Sequence, residues 1–368
     1  MYSFEGLAYL RLMILALITL VGANPASEWG PKVSRVYNTT DEIPLPNQGH
    51  IQVHDPNIIQ HNGSYYLFKG GHHIPIFKAT NMTGPWSQIG TVLDADSIIH
   101  TGNRSRPWAP TTVERDGTFY CYYTLSTRGS RKSAIGVATT ATLEGSPWTD
   151  HGAVIHTGDG ENSNVWPFTI TNAIDASFVT DNSTGKSYLN YGSFWHDIWQ
   201  LPLSDDLLSI EDPREPDAMQ LTFIPHERIK PQEGSGGFPA RGTEYSIRVG
   251  RSKNVRGPFV DKEGQMLLDG GGSIVYASNH GKVYAPGGVG VLDGNETTPD
   301  ILYYHYLNTS IGFLDSETHL GWNMLNYSDG WPFVVDGILM ASHSGAVGYL
   351  PNCFYLTIVM ISWLYIWS

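Results

Sequence analysis

The chain has 368 residues, enough for one large core or two ordinary ones, so its length does not fix the number of domains. It contains 40 Gly, 20 Tyr and 11 Trp but only 15% charged residues, which favours short strands and tight turns over long helices. Its formal net charge of −13 argues against nucleic acid or an anionic membrane as a partner, because both need a basic face. We therefore predict a mostly β protein with a neutral ligand.

The first residues have the pattern of a secretion signal. Arg11 precedes an apolar run over residues 12–21, which is too short for a membrane span, and small residues follow it. We predict that residues 1–23 are a signal peptide and that the protein is secreted to the extracellular space. Export is supported by eight Asn-x-Ser/Thr glycosylation acceptors: Asn38, Asn62, Asn81, Asn103, Asn182, Asn295, Asn308 and Asn326.

A repeated pattern follows. Three segments combine a short apolar strand, a polar turn with Gly and an aromatic alternating strand: HDPNIIQHNGSYYLF (54–68), RPWAPTTVERDGTFYCYY (106–123) and NAIDASFVTDNSTGKSYLNYG (172–192). We interpret each as a β-hairpin. A strand with small apolar residues comes next, as in IPIFKATNM, SAIGVATT and EYSIRVGRS, followed by Gly-Pro or Ser-Pro before Trp or Phe. The unit recurs about every sixty residues.

This period predicts an all-β fold, a five-bladed β-propeller over residues 30–337. We expect the last blade to contain GGGSIVYASNHGKVYAPGGVGV, ILYYHYLN and GWNMLNYSDGWPFV. The fourth unit should start at Glu233, yet EGS runs straight into GGFPARGTEYSIRVGRS without the expected aromatic strand. The fourth blade is thus truncated. Either a short exon is missing from the coding sequence, which the intact flanks favour, or the blade repacks around an exposed edge.

The C-terminal segment, residues 338–368, reads as a small and polar spacer followed by the apolar run CFYLTIVMISWLYIWS. Three interpretations stay open: a lipid-anchor signal, a single-span anchor, and read-through of the coding sequence. The first two would attach the protein to the cell surface. The two cysteines, Cys121 and Cys353, provide no disulfide framework, and Cys121 in FYCYY is predicted to be a buried thiol.

Three acidic residues occupy equivalent places in the repeat: Asp55 in HDPN, Asp175 in AIDAS and Glu233 in QEGS. Each alone would suit a turn. Innermost strands of a propeller converge on its axis, so the three carboxylates can face one cavity. Such a cluster suits glycoside hydrolysis, in which an acid protonates the leaving oxygen and a carboxylate opposite activates water. A third carboxylate keeps the acid protonated by repulsion between like charges.

The chain resembles glycoside hydrolase family 43, in particular its fungal arabinan endo-1,5-α-L-arabinosidases. The resemblance covers about residues 45–335 and is carried by HDPNII, RPWAPTT, SAIGVATT, NAIDASFVTD, YLNYGSFWHDIWQLPL, EGS, YSIRVGRS, GPFVDKEG and LDGGGSIV. It implies a five-bladed propeller and inverting hydrolysis of α-1,5-linked arabinan or arabino-oligosaccharides by a monomer. Two alternatives stay open: an α-L-arabinofuranosidase or β-xylosidase of the same family, and a catalytically impaired propeller that binds pentose polymers.

The resemblance also assigns roles. Asp55 matches the general base, Asp175 the residue that tunes the acid's pKa and orients the substrate, and Glu233 the general acid. Sugar contacts are expected from family positions and from flat aromatic side chains: His54, Trp108, Asn172, Ser193, Phe194 and Trp195.

The resemblance implies no required cofactor. Many relatives hold a metal ion on the propeller axis through a His in a GPGH-like turn, where this chain reads APGGVGV (285–291) with Val289. A structural calcium ion on the axis remains an open prediction, with His305 as its candidate ligand.

Overall fold

The structure is a computed structural model that describes residues 43–145, 147–193, 195–224, 244–279, 281–295 and 298–335 and the backbone of strand 355–361. The predicted signal peptide, Asn38, Phe194 and Glu233 lie outside these residues. Within them the structure is built from strands and two 3-10 helices, Leu267–Asp269 and Asp315–Glu317. No helix in these ranges is long and apolar enough to cross a membrane.

The strands, in chain order, are β1 (Asn57–His61), β2 (Ser64–Phe68), β3 (Pro75–Ala79), β4 (Ser87–Thr91), β5 (Trp108–Arg115), β6 (Thr118–Ser126), β7 (Ser133–Thr140), β8 (Thr149–Thr157), β9 (Ser177–Thr180), β10 (Ser187–Ser193), β11 (Asp197–Pro202), β12 (Met219–Gln220), β13 (Ser246–Ser252), β14 (Ser273–Ala277), β15 (Val283–Leu292), β16 (Ile301–Asn308), β17 (Thr318–Ser328), β18 (Trp331–Val335) and β19 (Tyr355–Ile361).

The strands form antiparallel sheets of consecutive elements. Four sheets have four strands each, β1–β4, β5–β8, β9–β12 and β15–β18, and are blades of a β-propeller. The three predicted hairpins are confirmed as the pairs β1 with β2, β5 with β6, and β9 with β10. The all-β propeller is therefore established, with four complete blades in the described part of the chain.

The remaining sheet corrects one prediction. SIVYA was expected to open the last blade, but it forms β14 and pairs with β13, with Ser246 opposite Ala277. The last blade begins at β15 instead, because β14 pairs with the edge of β13, the strand that precedes it in the chain. The third strand of this sheet is β19, which pairs with the other edge of β13.

The blades pack face to face because alternate residues of a strand point to opposite sides. On β6, Cys121 and Tyr123 lie in the core cluster shared with the first blade, whereas Tyr122 lies in the cluster shared with the third. All three are fully buried. Cys121 is a free, buried thiol, as predicted, and burial raises its pKa to about 12.

The segment before β1 runs beside β17 and closes the ring of blades. The Leu45 amide donates to the Trp322 carbonyl at 2.9 Å, and the Val53 amide donates to the Thr318 carbonyl at 3.2 Å. These bonds place the residues that follow Val53 beside the inner strands of the last blade.

Asn57 joins three blades where the inner strands meet. Its Oδ1 accepts a hydrogen bond from the Thr112 amide of β5 at 2.8 Å, and its Nδ2 donates to the Tyr303 hydroxyl of β16 at 3.4 Å. The two bonds fix the start of β1 relative to both neighbouring blades.

Candidate active site

The same backbone conformation recurs where each of four blades begins its inner strand. Asp55, Ala109, Asp175 and Ala285 have positive φ angles of 47°, 39°, 55° and 50°. This left-handed region costs an L-residue roughly 1 kcal/mol or more, and Asp tolerates it better than Ala. Backbone strain of this kind collects at functional sites. The structure thus supports the equivalence of Asp55 and Asp175 that the sequence repeat indicated.

Asp55 lies between two histidines. Its amide donates to His305 Nδ1 at 3.1 Å, its Oδ1 is 3.4 Å from the same nitrogen, and its Oδ2 is 3.6 Å from His54 Nε2. Burial alone would raise the pKa of Asp55, but the charge of His54 and the contacts with His305 hold it at about 2. Asp55 is therefore ionised at any working pH, as a general base must be.

His54 lies between two carboxylates. Its Nδ1 is 2.8 Å from Asp315 Oδ1, an ion-pair contact without the alignment of a hydrogen bond. Burial lowers the pKa of His54, but Asp55 and Asp315 outweigh it and raise the pKa to about 9. Its ring stacks on His305 with centroids 4.2 Å apart, and burial with the His54 charge lowers the pKa of His305. A cationic His54 therefore lies beside a neutral His305.

Asp175 has the opposite protonation. Its amide donates to Thr124 Oγ1 at 3.1 Å, which fixes the start of the third blade against the second. Burial and then the charge of Asp55 raise the pKa of Asp175 to about 8, and His54 offsets only part of this rise. One site thus holds an ionised and a protonated carboxyl group, the pattern by which environments separate acid and base roles.

The other sugar-contact candidates lie around these strands. Trp108 is the first residue of β5 and half-buried, Ser193 is the last residue of β10 and half-buried, and Trp195 lies half-buried in the following turn. Asn172 is only 2% exposed, and its Oδ1 accepts a hydrogen bond from the Ser133 hydroxyl at 2.7 Å. Asn172 thus fastens the second blade to the third, and its amide oxygen is already engaged. Phe194 and Glu233 are outside the described residues.

Sequence reasoning missed three residues beside this site. Asp315, the first residue of a 3-10 helix, contacts His54. Tyr245 stands edge-on to His305 at 6.4 Å, and burial with the charges of Asp55 and Asp175 raises its pKa. A Cβ on Gly288 would lie 2.7 Å from Asp55 Oδ1, so only glycine allows this approach. Asp315 lies in no recognised sequence motif. Tyr245 lies in EYSIRVGRS, which was interpreted only as a strand, and Gly288 lies in APGGVGV, which was considered only as a possible metal-binding turn.

His54, Asp55 and His305 bring ligand atoms within 4.8 Å of one another. His305 Nε2 is buried and has no hydrogen-bond partner among the described residues. Calcium, however, prefers six to eight oxygen ligands, and these residues offer one carboxylate, two imidazoles and the positive charge of His54. The described donor set does not fit a calcium ion.

Comparisons with known proteins agree on one group. The model of the family "Glycosyl hydrolases family 43" matches residues 49–332. A probable arabinan endo-1,5-α-L-arabinosidase D of Emericella nidulans is 49% identical over 346 residues, covering 88% of this chain and 89% of the relative. That alignment is longer than the part of this chain it covers, so the relative carries residues that this chain lacks.

Two further matches extend the comparison. An arabinan endo-1,5-α-L-arabinosidase B of the same organism is 39% identical, covering 80% of this chain and 86% of the relative. The structure is similar to that of the Cellvibrio cellulosa α-L-arabinanase complexed with arabinohexaose, with a TM-score of 0.66, 25% identity, and coverage of 80% of this chain and 98% of that one.

Proposed function

The chain belongs to glycosyl hydrolases family 43, and from this premise we propose that it hydrolyses α-1,5-L-arabinofuranosidic linkages in arabinan by a single displacement with inversion. The observation that carries the proposal is the pair Asp55 and Asp175. The two residues hold equivalent strained positions in the first and third blades, and their pKa values are driven in opposite directions.

In this mechanism Asp55 takes a proton from the water whose oxygen attacks the anomeric carbon. The bond from that carbon to the leaving oxygen breaks, and Glu233 gives the leaving oxygen its proton. The cationic His54 keeps the Asp55 carboxylate ionised, and His305 fixes the Asp55 backbone by accepting a hydrogen bond from its amide. Asp175, protonated below about pH 8, donates a hydrogen bond that orients the sugar. The tuning of Glu233 by a charged Asp175 would then operate only above that pH.

We further propose that the propeller is five-bladed, with the sheet of β13, β14 and β19 as its fourth blade. Its strands β13 and β14 follow the third blade and precede the last along the chain, whereas β19 comes after the last blade. We also propose secretion after removal of residues 1–23, which amino-terminal sequencing of the mature protein would test. Five of the glycosylation acceptors, Asn62, Asn81, Asn103, Asn182 and Asn295, are exposed, as glycan attachment requires.

The direct test is hydrolysis of debranched linear arabinan against xylan, with Asp55→Asn as the inactive control. The proposal expects reducing ends from arabinan alone and a loss of at least about a thousandfold in kcat for the variant, because no group then accepts the water proton. Xylan cleavage at a similar rate would favour the β-xylosidase alternative instead.

The three-stranded fourth sheet favours one further candidate, a propeller that binds pentose polymers without cutting them. Calorimetric titration with arabino-oligosaccharides separates the two functions. A binder gives a Kd but no turnover that Asp55→Asn abolishes, whereas the hydrolase gives both.

A further inference from the structure

The strand β13 corresponds to the third strand of a complete blade. It precedes a Gly-Pro-aromatic turn, as β3 does, and the two glycines, Gly84 and Gly257, have φ angles of 82° and 84°. The third strands β3 and β7 each pair with the second strand on one side and the fourth on the other. On β13 the fourth-strand side is taken by β14, so its other edge is where a second strand belongs.

The C-terminal strand β19 occupies that edge. It runs antiparallel to β13 in unbroken register from Ser246 opposite Ile361 to Ser252 opposite Tyr355, over the whole length of β13. The pairing on the other edge, with β14, is interrupted by a shift between Ile247 and Arg248. β19 therefore has the direction and extent of β2 and β6 in their own blades.

The sequence of β19 suits an interior strand. YLTIVMI contains four β-branched residues and no charge, Gly or Pro, as expected where both sheet faces are covered. Residues 336–354, which join β18 to β19, can span roughly 60 Å when extended, enough to bridge neighbouring blades.

The edge of β13 needs such a partner. Ile247 and Val249 are buried in a core cluster with Val275 and Tyr276 of β14. Without a strand beside them, the β13 amides and carbonyls would face solvent at the border of this core, and such open edges recruit other chains.

We propose that residues 355–361 act as a donor strand that completes the fourth blade in cis, replacing the strand that is missing after Glu233. Residues 355–361 then belong to the folded domain and stay in the mature protein, so they are part of neither a cleaved lipid-anchor signal nor a membrane span. The donor strand thus explains both how the fourth blade is completed without the strand missing after Glu233 and why the C-terminal segment is apolar.

Cross-linking tests the register directly. Opposed residues of antiparallel strands have Cα atoms about 4.5–5.5 Å apart, within disulfide range. In a Cys353→Ser background, the full-length chain with Arg248→Cys and Val359→Cys, or with Val249→Cys and Ile358→Cys, should form an intramolecular disulfide, mapped by mass spectrometry. The mismatched pair Arg248→Cys with Ile358→Cys is the control, since Ile358 is opposite Val249 and not Arg248 in the register. No cross-link in either matched pair, or equal cross-linking in all three, would overturn the proposal.

Truncation tests the energetic contribution of the strand. A chain ending at residue 354 lacks β19, whereas a chain ending at residue 361 keeps it and loses only the last apolar residues. The first should melt about 5 °C or more below the full chain, or fail to fold, and the second should melt with the full chain. Equal melting of both truncations would contradict a donor role. All these readouts are independent of arabinan hydrolysis, so the proposed function can fail while the donor strand stands.

Discussion

Asp55 and Asp175 have the same place in their blades, yet their surroundings give them opposite protonation. Two histidines contact Asp55, and the positive charge of His54 helps to lower the pKa of Asp55 to about 2. Burial and the negative charge of Asp55 both disfavour ionisation of Asp175 and raise its pKa to about 8. The difference predicts opposite effects of neutral substitutions on stability.

Asp175→Asn should stabilise the protein at pH 7–8. The folded-state pKa of Asp175 is raised, so its contribution is present near pH 4 and is lost as pH rises toward about 8. The variant has no proton to lose and should gain about 1–3 kcal/mol in the free energy of unfolding at pH 8, with little gain at pH 4. Denaturant titration at both pH values measures this.

Asp55→Asn is the matched control, because it should change the free energy of unfolding in the opposite direction. Its folded-state pKa is lowered, so the stability from its charge is present above about pH 4 and is lost as pH falls toward 2. It should therefore destabilise the protein at pH 7. A gain in both variants, or in neither, would contradict the assigned charges.

Glu233→Gln tests the residue proposed as the general acid. A substrate with a good leaving group, such as an aryl arabinoside, needs little protonation of the leaving oxygen. This variant should therefore keep much more of its kcat on the aryl substrate than on arabinan, while Asp55→Asn loses both. If Glu233→Gln lost both activities equally, another residue would have to be the acid.

At the scale of elements, the repeat predicted the hairpins because a period of two residues and a glycine turn are local signals. β14 was assigned to the wrong blade because SIVYA reads the same as a first or a fourth strand, and only pairing decides. The partnership of β13 with β19 joins segments more than a hundred residues apart, which no local pattern encodes. For the same reason Asp315, distant in sequence from His54, was missed.

The contribution of the Asn57 hydrogen bonds between blades to stability can be tested by substitution. Asn57→Ala leaves the Thr112 amide without its partner and should cost about 1–3 kcal/mol in the free energy of unfolding. Gln88→Ala on the exposed strand β4 is the control and should stay within about 0.5 kcal/mol of the parent. Equal losses would show that the Asn57 bonds between blades contribute nothing specific.

At the scale of the whole molecule, closure of the ring brings His305 of β16 against Asp55, next to β1. Asp55 and His305 are thus brought together although they are 250 residues apart in the sequence. The cationic His54 lies beside the Asp55 carboxylate, and His305 accepts a hydrogen bond from the Asp55 amide.

Chelation should therefore leave the activity intact. The described ligand set lacks the oxygens that calcium needs, so we expect EDTA treatment followed by desalting to change kcat on arabinan by less than about twofold. A large loss that calcium restores would reveal a metal held by other residues.

The central claim is inverting hydrolysis of arabinan with Asp55 as the base, and the anomeric configuration of the first product tests it most directly. Proton NMR during the first minutes of arabino-oligosaccharide cleavage should show the β-anomer at the new reducing end before mutarotation, because water attacks the face opposite the leaving oxygen. The Asp55→Asn variant should release no product. Initial formation of the α-anomer, or product release by the variant at the parent rate, would contradict the account.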